Sequence, residues 1–337
     1  MSFKSAVLAV LTLAATAVPA FAGEGKFSAL LFGDAYWMAA NHDSTIEDMN
    51  GVWIRRFYLT YDYKFDEAWS ARLRLEANQP GDFETAGTIS AFMKDAYLKY
   101  TRGTHAGLIG IQPTATLVTY EDVWGYRAVE KVPVELQGFG SSRDAGIGLQ
   151  GDFGEGGKVG YHIVAGDGNS VNAETNSKKK IMGALHVRPV DHLILEGYAD
   201  YEDRVDSGDR VTYFGFGGWQ ADHLRAGVQY AKQTRRETGE DIDLRIVSGF
   251  VAAGVTEKMW LFGRVDRNMD PNLQGPSIAY IPFAPVENTF FILGADFAMT
   301  EGVNLMPNVE VISYDDPDVG PKPDTDVMAR LTFQAKF

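Results

Sequence analysis

Along much of this chain, hydrophobic and polar residues alternate one for one. Phe57, Leu59, Tyr61, Tyr63 and Phe65 interleave with Arg56, Tyr58, Thr60, Asp62 and Lys64. Ala71, Leu73, Leu75 and Ala77 interleave with Arg72, Arg74, Glu76 and Asn78, and Leu224, Ala226, Val228 and Tyr230 with Arg225, Gly227 and Gln229. At the end of the chain Val327, Ala329, Leu331, Phe333, Ala335 and Phe337 oppose Arg330, Thr332, Gln334 and Lys336. Successive side chains of a strand point to opposite faces, so each segment is a ribbon with one oily and one wet face. An Arg or Lys facing mid-bilayer lipid costs about 2–4 kcal/mol, a penalty avoided if it faces water enclosed by a barrel. The pattern predicts an all-β fold, a transmembrane antiparallel β-barrel. It is less clean in the first ribbon and in the tenth, where Phe214 and Phe216 blur the choice of face.

The ribbons number about sixteen, with fourteen or eighteen as alternatives. Tight turns follow the even-numbered ones, as at Asp66-Glu67, Thr101-Arg102-Gly103-Thr104, Ala221-Asp222 and Thr300-Glu301-Gly302. Longer connections follow the odd-numbered ones, including 41–50, 270–286 and 314–323, and the longest spans 113–142. Short periplasmic turns, longer outer loops and an even strand count characterise outer-membrane barrels. Both termini then lie in the periplasm. A soluble, secreted all-β protein is the alternative, since its strands also alternate, but blade or Greek-key repeats are not seen.

Residues 1–22 read as a signal peptide. Lys4 supplies the charge, Ala6 to Pro19 the apolar stretch and Ala20-Phe21-Ala22 the small-residue cleavage pattern. The run is short for a membrane anchor, and residues 23–337 form the barrel domain. The aromatic residues, six Trp, fifteen Tyr and twenty Phe, would supply interfacial girdles. With no Cys in the chain, disulfides and thiolate-bound metals are excluded. A net charge of −14 argues against non-specific nucleic-acid binding. It does not set ion preference, which depends on the charges at the narrowest point of a pore.

The connection 113–142 is the candidate for folding inward to constrict the lumen, against the alternative of an outer loop with solvated charges. Within it, Thr119-Tyr120-Glu121-Asp122 resembles a helix start, with Asp122 at the capping-box position. A helix running to about Lys131, before Pro133, would place Arg127 and Lys131 on one face. Glu130 and Glu135 add negative charge nearby. The constriction candidates are therefore Arg127, Lys131 and Glu130 on the loop, and Arg56, Arg72 and Arg74 on the wall. Arg55 alternates away from Arg56 and is expected outside, near lipopolysaccharide phosphates or solvent. Lys178, Lys179 and Lys180 could gather anions at the outer mouth, or form a solvated loop. Asp315, Asp316 and Asp318 lack EF-hand spacing, so no metal is assigned, nor any cofactor. No Gly-x-Ser-x-Gly elbow or His-Glu-x-x-His motif occurs, and no catalytic residue is assigned, although a triad spread over several strands would leave no such motif.

Trp53-Ile54-Arg55-Arg56-Phe57-Tyr58-Leu59 and Ala71-Arg72-Leu73-Arg74-Leu75-Glu76 resemble the opening strands of the phosphate-selective porin O and P family. The resemblance continues through Asp95-Ala96-Tyr97-Leu98 and Gly110-Ile111-Gln112-Pro113, and resumes at Arg143-Asp144-Ala145-Gly146. It covers about the first half of the chain. It implies a sixteen-stranded, homotrimeric outer-membrane channel for small solutes or ions, in contact with membrane lipid and lipopolysaccharide. Where the family has a Lys and a Pro-Phe pair after the fifth strand, this chain has Pro113-Thr114-Ala115-Thr116. That departure removes a cation just before the long loop and weighs against phosphate specificity. The expectation is a passive diffusion channel, with an anion-selective channel as the alternative.

Overall fold

The computed structural model describes residues 23–337 except 155, 206–207, 237–239 and 274–279. The expected signal peptide, residues 1–22, lies outside the described residues. Sixteen strands form the wall: β1 (Glu24–Ala40), β2 (Asn50–Lys64), β3 (Trp69–Asn78), β4 (Ser90–Arg102), β5 (His105–Pro113), β6 (Arg143–Phe153), β7 (Val159–Gly166) and β8 (Lys180–Val187) complete the first half. The second half comprises β9 (Leu193–Glu202), β10 (Arg210–Ala221), β11 (Leu224–Arg236), β12 (Asp241–Thr256), β13 (Met259–Asn268), β14 (Asn288–Thr300), β15 (Val303–Tyr314) and β16 (Asp326–Lys336). Each strand pairs antiparallel with its sequence neighbours, and β1 pairs with β16, from Leu30 opposite Lys336 to Ala40 opposite Val327, closing the sheet. Closure leaves no unpaired sheet edge, as a wall in lipid requires.

Alternation sets which side chains face outward. Val228, Leu293, Ile147 and Ile181 are among the most exposed of many outward apolar side chains, while Thr212, Gln229, Asp266 and Glu310 are buried inside. Two-residue turns Gly103-Thr104, Asp222-His223, Glu257-Lys258 and Glu301-Gly302 sit at one end of the barrel. Most of the long connections sit at the other.

Among the described residues the register shifts at five places, and two of these shifts add charge to the interior. Phe32 pairs with Arg56 but Gly33 pairs with Ile54, leaving Arg55 as an extra residue in β2. Arg74 pairs with Asp95 but Leu75 pairs with Met93, leaving Lys94 as an extra residue in β4. A β-bulge re-aims a side chain by inserting one residue against its partner strand. Arg55 and Arg56 thus both point inward, as do Lys94 and Asp95, and all four are buried. The expectation that Arg55 faces the outer membrane surface is therefore corrected.

Candidate functional site

The connection 114–142 lies inside the barrel. It carries two short helices, α1 (Val118–Trp124) and α2 (Pro133–Leu136). The helix expected to run from Thr119 to about Lys131 stops at Trp124, because Gly125 adopts a left-handed conformation at φ 72° that glycine reaches without steric cost. A side chain at Gly125 would also collide with the Arg225 guanidinium. The N-cap residue is Leu117, with no side-chain cap, so the expected capping box is absent. Arg127 and Lys131 consequently share no helix.

Aromatic packing seats α1. Tyr120 lies 5.0 Å from Phe216 and 5.1 Å from Phe250, Trp124 lies 5.1 Å from Phe250, and Tyr126 stacks on Phe262 at 4.3 Å, measured between ring centroids. This accounts for the blurred alternation of β10: Phe214 and Phe216 are buried inward residues, and Phe216 meets Tyr120 of the apolar occupant. Polar pins add register. Thr119 donates to Glu196 on β9, Tyr120 meets Ser248 on β12 at 2.8 Å, and Gln233 on β11 donates to the Phe139 carbonyl at 2.8 Å. The tip of the loop, 128–130, reaches β2 and β16 through Arg55 and Arg330.

The other edge of the loop faces β2–β6, and charged groups from both sides meet there. Arg127 pairs with Glu121 at 2.8 Å and Glu135 at 2.9 Å. Arg56 stands 4.0 Å from Glu135 and 3.2 Å from Glu76, and Lys94 pairs with Glu76 as well. Asp95, fully buried, serves both Arg74 at 3.3 Å and Arg143. The Tyr58 hydroxyl accepts from Arg56 at 3.1 Å and from Lys94 at 3.3 Å. The buried carboxylates Glu76 and Asp95 thus each have cations beside them, a pairing that buried charges require.

Two chambers meet at this cluster. The one toward the long loops, of about 400 Å³, is lined by Lys131, Arg143, Lys180, Arg204 and Arg210 against Glu135, Asp144 and Glu202. The one toward the short turns, of about 870 Å³, is lined by Lys26, Arg56, Arg74, Lys94, Arg127, Arg143 and Lys336 against Glu121, Glu301 and the terminal residue Phe337. Both linings carry more cations than acids, although the whole chain has a net charge of −14. Burial lowers the Lys131 ammonium to about 8, against the opposing pull of Glu135. Burial alone would raise Glu135, but Arg127 and Arg56 more than offset it and hold the carboxyl down at about 2.

Of the residues singled out from sequence, Arg56, Arg74, Arg127 and Lys131 line one chamber or the other. Arg72 sits nearby on β3, paired with Asp62 at 2.6 Å. Glu130 is turned away, buried between Arg55 and Arg330. Lys94 and Arg143 belong to the cluster and were not selected from sequence. Lys94 is hidden by its bulge, while Arg143 opens the segment Arg143-Asp144-Ala145-Gly146 and pairs across the neck of the loop with Pro113. The three lysines each meet carboxylates: Lys178 with Asp203, Lys179 with Asp167 and Glu174, and Lys180 with Asp200 and Glu202. Asp315 pairs with Arg267 at 2.6 Å, and no group of three metal-binding side chains occurs among the described residues.

No family model matches the chain, and no curated protein matches it. Solved structures do match in fold. An anion-selective porin from Comamonas acidovorans superposes with a TM-score of 0.69 at 10% identity, over 94% of this chain and 100% of that one. Salmonella typhi OmpF, in complex with daunomycin, gives 0.67 at 11% identity, over 95% and 99%. OmpT, an outer membrane protein of Vibrio cholerae in its trimer form, gives 0.63 at 10%, over 94% and 99%. The chain has the fold of outer-membrane porins. At these identities the likeness is one of architecture, and the barrel, its strand order and its inward loop stand on the geometry given above.

Proposed function

We propose that this chain is an outer-membrane porin, giving passive diffusion to small hydrophilic solutes and ions. The observation that carries this reading is a closed barrel with an apolar exterior, whose two water-accessible chambers meet at a cluster of charges between the wall and an inward loop. Transport would proceed by steric filtering and electrostatic bias, without covalent chemistry. The protein would be exported by a cleaved signal peptide over residues 1–22, sit among outer-membrane lipids and lipopolysaccharide, and assemble as a homotrimer, as the trimer form of one fold relative suggests.

A second reading is favoured by one specific observation, the excess of Lys and Arg over Asp and Glu in both chamber linings of an acidic protein. It is a bias toward anions. The narrower resemblance to phosphate-selective porins points to phosphate, but the lining supports a general charge preference rather than one solute. Arg56, Arg74, Arg127, Lys131, Lys94 and Arg143 are the residues proposed to set it. Swelling of liposomes containing the purified protein tests the channel itself. Small sugars should enter at rates that fall with sugar size. Liposomes that remain impermeable to all of them, with the barrel folded, would contradict the proposal.

A further inference from the structure

The outward and return arms of the inward loop lie along β9–β13, but its tip is held from another part of the wall. Arg55 on β2 and Arg330 on β16 flank β1 and reach the same acceptor. Arg55 Nη2 donates to the Ala128 carbonyl and, at 2.7 Å, to the Val129 carbonyl. Arg330 Nη2 donates to the Val129 carbonyl at 3.1 Å. Each guanidinium is braced behind. Arg55 Nε lies 2.8 Å from Asp34 on β1, and Arg330 pairs with Glu310 on β15. Glu130 stands between them, 3.7 Å from Arg55 and 3.6 Å from Arg330. Both arginines are almost wholly buried, and neither lines either chamber.

We infer that Arg55 and Arg330 form a clamp on the tip of the inward loop that fixes the width of the passage, acting on permeating ions through the loop rather than by meeting them. Three features carry the inference. The bulge in β2 turns Arg55 inward, and its guanidinium reaches the tip. The shared acceptor is a main-chain carbonyl, so what is held is the path of the backbone. The clamped segment, 128–130, joins Arg127, which lines one chamber, to Lys131, which lines the other. A guanidinium has donors enough, in a fixed planar fork, to meet a carbonyl and a carboxylate together, whereas an ammonium on a flexible stem keeps the charge and loses the fork.

The inference rests on the channel reading, and its test separates the two. Arg55→Lys and Arg330→Lys are reconstituted singly in planar bilayers beside the unaltered protein. The expected result is a several-fold rise in open-channel current noise, with frequent sub-levels and an unchanged reversal potential in a salt gradient. Steady currents in both variants would overturn the clamp, as would a shifted reversal potential without added noise, which would mean that the side chains meet the ions. Silence of the unaltered protein would overturn the channel reading alone. Should the variants not fold, hydrogen exchange on the unaltered protein decides. Peptides over 126–132 should exchange as slowly as those of β11, and exchange as fast as the outer connection 171–178 would overturn the clamp.

Discussion

Glu76 and Asp95 each hold two cations, so their removal should matter more than that of any single arginine they serve. Glu76 is buried beneath Arg56 and Lys94, and breaking a buried pair by deleting one partner costs about 3–5 kcal/mol, because the remaining charge is left uncompensated. Glu76→Ala should lower the stability of the folded barrel by that order, read as a shift in its urea unfolding midpoint in detergent. Arg72→Ala removes a half-exposed pair with Asp62 and should change stability by less than about 1 kcal/mol. Lys131 supplies a pH dependence. Its lowered pKa means that it loses its charge as pH rises through about 8, well below the usual lysine value of about 10.4. Any anion preference should therefore weaken between about pH 7 and about pH 9. The weakening should vanish in Lys131→Gln, with reversal potential as the measurement. An undiminished pH response in that variant would place the titrating group elsewhere.

At the scale of elements, the seat of α1 is apolar and the wall exterior is apolar, and the two make different predictions. Trp124 is fully buried between Phe250, Phe262 and Tyr126. Trp124→Ala should cost about 3–5 kcal/mol as a large-to-small change and free the loop to fluctuate, seen as faster proteolysis within 114–142. Val228, mid-strand on β11 and exposed outward, should tolerate Leu but not Arg, which would cost about 2–4 kcal/mol in lipid. Folding yield into vesicles checks this.

The sixteen strands were legible because alternation over about ten residues is a strong signal, and the short turns are marked by residues such as Gly103 and Gly302. The bulges were not legible. One inserted residue leaves the composition of β2 unchanged and reverses the facing of everything on one side of it, which is why Arg55 was placed outside and Lys94 missed. The end of α1 was legible in principle at Gly125. The buried position of Glu130 was not, since it depends on Arg55 and on Arg330, which lies two hundred residues away in the chain.

For the molecule as a whole, the distribution of charge matters more than its sum. The acidic excess lies on connections such as 315–325 and 82–84, while the chambers carry the basic groups. Fields inside a low-dielectric wall are focused along its aqueous lumen, so the lining outweighs the net charge in selecting ions. The most direct test of the account is the current carried by the purified, folded protein in a planar bilayer separating two concentrations of potassium chloride. The account predicts stepwise conductance with a reversal potential of the sign given by chloride passing more readily than potassium. A folded protein that carries no current would contradict the channel, and a reversal potential of the opposite sign would contradict the role given to its basic lining.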